Sequence, residues 1–144
     1  IVNLLLILSV ITGNLASGLT VAAVSPVLAK LVGIGPLWAL IPFIIAGNIV
    51  LVLLWHFIGN QDAGGKKYIA YTASMVSAAI AKFLVLYIGI VRVAVPHFLG
   101  LPEPQAAVIS SMFSFPQLVT AMIGGAFAVL LLPRLKKATA GGHK

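Results

Sequence analysis

Apolar residues in this chain come in long runs separated by short polar or Gly/Pro-containing connections. They lack the roughly ten-residue alternating segments of an outer-membrane barrel, and a helix satisfies its backbone polar groups within one segment, so helices are the predicted spanning element. The runs predict five helices over approximately 1–12, 15–32, 37–58, 68–95 and 107–132, then a basic tail over 133–144. Gly13-Asn14 reads as the first turn. Residues 33–36 form a tight second connection, with Pro36 suited to a helix start. The third, GNQDAGGKK over 59–67, is the most polar. The fourth, PHFLGLPEPQA over 96–106, contains three prolines, and Pro133 ends the last helix. The predicted fold class is all-α: one transmembrane domain, 1–144, built as a polytopic helical bundle.

Periodicity within the helices selects their inward faces. Trp38, Ile41, Ile45, Asn48, Val52 and Trp55 make one stripe, with Asn48 its polar member at mid-depth and the two indoles near the ends, where an interface favours them. In the second helix Gly18 and Ala22 form a small-xxx-small pair that lets backbones approach closely, or else reflect the background of small residues in membrane helices. Pro26 kinks that helix. In the fourth, Tyr71, Met75, Ala78, Lys82, Val85, Gly89, Arg92 and Pro96 follow three-four spacing. The last helix carries a polar face of Ser110, Ser114, Gln117, Ala121 and Gly124. Pro116, in its middle, frees a carbonyl one turn earlier, near Met112.

Composition confirms the membrane assignment: 61% of residues are hydrophobic, mean hydropathy is +1.17 and 8% are charged, where a soluble domain has about a quarter charged. The +7 net charge does not point to nucleic acid. Lys66, Lys67, Arg134, Lys136, Lys137 and Lys144 are six of the nine cations and flank apolar runs, which places the 59–67 loop and the C-terminus in the cytoplasm. The 33–36 and 96–106 connections are then extracellular, with Lys30 and Arg92 near the outer face. With no cysteine, disulfides and thiolate metal sites are excluded. No GxxxxGK[ST] loop is present, so ATP-driven work requires another chain. Ile1 opens a run reaching only ~18 Å as a helix, so the numbered chain is expected to start inside a span.

The candidate chemistry centres on Lys82, near the midpoint of its span. A charge at that depth costs at least ~2.5 kcal/mol, so it faces a protein interior or a wet cavity. Its stem is too short to reach either interface comfortably. Two readings stand: it meets an anionic ligand, or it pairs with a helix terminus or backbone carbonyl. Arg92 and Lys30 either continue a cationic path to the outer mouth or snorkel to the interface. The candidate substrate-binding set is Lys82, Asn48, Gln117, Arg92, Trp38 and Ser114, with Trp38 and the 96–106 loop covering the ligand. Phe113 and Phe115 are candidates for a ring wall. Both acids, Asp62 and Glu103, fall in connections, so no carboxylate lies at membrane depth. His56 reads as interfacial, and His97 and His143 lack partners at metal-ligand spacing. No pattern for catalysis or for a cofactor is present.

The run GNLASGLTVAAVSPVLAKLVGIGPLWALIPFIIAGN, the Lys-bearing helix after it, and MFSFPQLVTAMIGG with its basic tail resemble the substrate-binding S components of energy-coupling factor transporters. The resemblance covers Ile1 to about Lys137. It implies a six-helix fold of which these are the last five helices. The helix upstream would carry the small-residue motif that docks on the transmembrane coupling subunit. It further implies a site opening outward in a bacterial plasma membrane and gated by extracellular loops, with Asn48, Lys82, Arg92 and Gln117 on the helices that line it. Partners would be a vitamin-like nutrient, the coupling subunit and two ATPase subunits. The alternatives are a self-contained carrier or channel, and a scaffold subunit that transports nothing.

Overall fold

The computed structural model describes residues 1–35, 37–61 and 65–141; the readings on Pro36, Asp62, His143 and Lys144 lie outside these. Every regular element among the described residues is helical. The elements are α1 (Val2–Gly13), α2 (Leu15–Leu31), α3 (Trp38–Gly59), α4 (Lys67–Leu99), and a fifth rod broken into α5 (Glu103–Met112) and α6 (Phe115–Gly141). Three segments, Trp38–Gly59, Lys67–Leu99 and Glu103–Ala138, are long and apolar enough to cross a membrane, while α1 and α2 are shorter apolar helices.

Local chemistry sets the ends of α2. The Asn14 side chain accepts from the Ser17 amide at 2.8 Å, satisfying one of the donors that a helix start leaves unpaired. At the other end Gly33 adopts φ +82°, the Ile34 amide donates to the Ala29 carbonyl and the Gly33 amide to that of Lys30. This pair of bonds is the Schellman closure, which needs a left-handed residue where Gly33 stands.

Three predicted boundaries differ. The fourth helix does not stop before Pro96, because Tyr87–Leu99 is wound as π-helix, and local π adjustment is one way a membrane helix accommodates proline. It ends at Gly100, φ +52°, so the predicted 96–106 loop shrinks to three residues. The last rod starts at Glu103 rather than 107 and is interrupted at Phe113-Ser114, just before Pro116. It also continues through Pro133 to Gly141, carried by the helix-favouring ArgLeuLysLysAla segment that follows the proline.

The π winding also moves the inward face of α4. Beyond Lys82 the buried positions are Leu86, the last α-helical residue, and then Ile90 and Ala94 within the π segment; the predicted Val85 is half-buried, and Gly89 does face a neighbouring helix, since a Cβ there would sit 2.7 Å from Phe43 Cδ1 of α3. A wider helix needs more residues per turn, so the buried stripe advances and Arg92 comes out exposed.

α4 packs most extensively on α3 and α6, α2 lies on α3, and α1 fits against α6, α2 and α3. Trp55 is in the core rather than at an interface: it is buried, with its ring centroid 6.1 Å from that of Tyr71. Asn3, Asn48, Ser74 and Lys82 are buried, whereas Val76, Ile80, Leu84 and Ile88 of α4 and Val119, Ile123, Phe127 and Leu130 of α6 are exposed. Polar groups inside and aliphatic stripes outside invert the soluble pattern and suit a hydrocarbon solvent.

Gly18 and Ala22 are both buried. A Cβ on Gly18 would sit 2.7 Å from Val10 Cβ and 2.9 Å from Val52 Cγ1, and β-branched neighbours have few rotamers in which to give way. Gly18→Ala is therefore expected to lower stability by about 1–3 kcal/mol through overpacking, read as a lower unfolding temperature in detergent. Gly141→Ala, whose Cβ meets nothing within 4 Å, serves as the neutral control.

Candidate functional site

Lys82 lies midway along α4 and is 4% exposed. Its Nζ donates to Asn3 Oδ1 of α1 at 2.5 Å and to Asn48 Oδ1 of α3 at 2.7 Å. Both acceptors are neutral amides. They lend dipole stabilisation but leave the positive charge uncancelled.

A proline fixes the orientation of Asn48. Pro26 has no N–H, so the Ala22 carbonyl loses its helical donor four residues on. Asn48 Nδ2 donates to that carbonyl at 3.3 Å, which aims the other end of the amide, Oδ1, at Lys82. The sequence thus builds a relay from Pro26 through Ala22 and Asn48 to the ammonium. The last rod repeats the device: Pro116 frees the Met112 carbonyl, and Gln117 Nε2 donates to it at 3.3 Å.

Lys82, Asn3, Asn48 and Gln117 line a cavity of about 330 Å³, together with Ser25 and Thr120. The remaining lining is mainly apolar, including Pro26, Ile34, Ile44, Leu86 and Phe113. This volume falls at the small end of the range for small-molecule sites, and the mix of apolar wall with a few convergent polar groups is their usual make-up. A smaller neighbouring cavity of about 210 Å³ is lined by Lys30, Leu40 and Met112 and shares Gly35 and Phe113 with the first.

Of the six predicted site residues, Lys82, Asn48 and Gln117 thus meet at one cavity. Arg92, Trp38 and Ser114 are not among its lining residues. Arg92 and Trp38 are exposed, and the Ser114 hydroxyl donates to the Ser110 carbonyl. The second cation beside the site is Lys30, through the adjoining cavity, and not Arg92. Of the two candidate ring-wall residues, Phe113 is in the wall and Phe115 is exposed. Asn3 and Ser25 were missed. An asparagine within the run IVNLLLILSVI carries the same signal as Asn48, a costly amide in an apolar helix.

Ser25 stands out chemically. Thr12, Thr20, Ser74, Ser77 and Ser114 each donate to a carbonyl four residues back, whereas the buried Ser25 hydroxyl has no hydrogen-bond partner. No group of three or more His, Cys, Asp or Glu residues able to hold a metal is found among the described residues. No family model, curated protein or solved structure matches this chain.

Removing the Asn48 amide takes an acceptor from Lys82 and the donor from Ala22. Asn48→Leu is expected to cost about 2–3 kcal/mol, because buried partners, one charged, are left unpaired. Adding Lys82→Met removes the orphaned charge, so the double variant should unfold at a higher temperature than Asn48→Leu alone. Strictly additive losses in that double-mutant cycle would show that the two side chains are not coupled.

Proposed function

We propose that this protein is the substrate-binding subunit of an importer of the energy-coupling factor type, in a bacterial plasma membrane with its C-terminus in the cytoplasm. It captures a small anionic nutrient, of vitamin kind, from outside. Delivery inward depends on a partner module of a transmembrane coupling subunit and two ATPase subunits, since the chain has no phosphate-binding loop of its own. The single observation that carries this reading is an uncancelled ammonium at the wall of a largely apolar cavity in a membrane helix. In low dielectric such a group attracts an anion strongly and repels cations. The resemblance of the 13–48 and 112–125 segments to S components supplies the coupled partner. Lys82 would neutralise the ligand, with Asn48 and Gln117 positioned by their freed carbonyls and Lys30 in the adjoining hollow drawing the anion in.

One observation favours a second reading. Lys82 already has two acceptors, as a purely structural lysine in a scaffold subunit would. The two readings part on ligand retention. Mass spectrometry of small molecules released from freshly purified protein is expected to find a stoichiometric organic anion, absent from Lys82→Met although that variant stays folded. No retained anion, or equal retention by Lys82→Met, speaks for the scaffold. Reconstituted alone in liposomes, the protein is expected to bind without concentrative uptake; sustained flux would identify a self-contained carrier instead.

A further inference from the structure

The hydrogen-bond inventory of the cavity narrows the ligand further than its charge does, on the reading that the cavity is a ligand site. An ammonium has three N–H donors, and Lys82 spends two of them on Asn3 and Asn48. One remains. Asn3, whose Oδ1 accepts from Lys82, has its two Nδ2 hydrogens to offer as further donors. The Ser25 hydroxyl is buried and unpartnered. The Gln117 amide and the Thr120 hydroxyl are already turned to backbone carbonyls. The uncommitted polar groups at the wall are thus mainly donors that pair with acceptor oxygens, while Lys82 is the one cationic side chain among the described lining residues.

We infer that the cavity takes a monocarboxylate with a largely apolar body, its carboxylate received by the third N–H of Lys82, the Asn3 amide and the Ser25 hydroxyl. One carboxylate matches one ammonium. A phosphate monoester brings about −1.5 to −2 charges at neutral pH, and the excess would stay buried and unpaired against this wall, at high cost. A second carboxylate meets the same objection. A neutral amide of the same shape leaves the ammonium without its counter-charge. The body of the ligand lies against Ile44, Leu86 and Phe113, and a substituted ring is of a size to fit the cavity of about 330 Å³.

The test is isothermal titration of the protein in lipid nanodiscs with 3-phenylpropionate and cyclohexanecarboxylate, the primary amides of both, phenyl phosphate and benzylmalonate. The two acids are expected to bind at least about tenfold more tightly than the amides and the dianions, the worth of one charge-assisted hydrogen bond. Ser25→Ala is expected to weaken the acids by about three- to tenfold, without lowering the unfolding temperature of the ligand-free protein. Tighter binding of phenyl phosphate or benzylmalonate, the latter by engaging Lys30 as well, overturns the monocarboxylate assignment and leaves the anion-binding function standing. Equal binding of acid and amide, or unchanged acid affinity in Ser25→Ala, overturns the recognition scheme. If neither acid binds, the inference falls, and the molecules released from purified protein decide separately whether the binding function falls with it.

Discussion

A positive charge in the middle of a helix bundle must be stabilised by the groups around it, and here two amide carbonyls, Asn3 Oδ1 and Asn48 Oδ1, provide that. The rest of the arrangement follows from the requirement. It draws α1, α3 and α4 to a common point, and it keeps neutral groups as the only described acceptors. Had an acid been the partner, the charge would be cancelled and the cavity would have nothing to offer an anion. Amide dipoles lower the cost of burial while leaving the charge uncancelled, a compromise between stability and the anion binding proposed for this cavity.

Proline supplies the geometry for that compromise. In water, a proline inside a helix mostly costs a hydrogen bond; in a bundle surrounded by hydrocarbon, the carbonyl it releases has to find a donor. Asn48 and Gln117 are those donors for Pro26 and Pro116. Each side-chain amide is thereby pinned at one end, and for Asn48 the free end is what Lys82 meets. The helix irregularities and the polar site are one feature, because the bonds missing from the backbone ladders are the bonds that orient the side chains.

The wider winding of Tyr87–Leu99 acts on the fold in a similar way. It keeps Ile90 and Ala94 in line with the buried Leu86 that precedes it and turns Arg92 outward, separating the lysine at depth from the arginine ten residues on. Regular spacing had put them on one face. Lys30, in a neighbouring hollow, is the other cationic side chain among the described residues that border these two cavities.

By itself the sequence determined the helical class and the membrane setting, and it singled out Lys82, Asn48 and Gln117, which the structure brings to one cavity. Those conclusions rest on hydropathy and on the cost of polar groups in hydrocarbon, both of which act residue by residue. The freed carbonyl at Met112 was legible for the same reason, since proline removes a donor at a known offset. Tertiary structure alone decided that Asn3 joins the lysine, that Ser25 is left without a partner, that Trp55 is core and that Arg92 and Trp38 stand apart from the cavity. Each of these depends on how helices distant in sequence are rotated against one another, and a local change of winding resets that rotation without leaving a mark in the spacing of apolar residues.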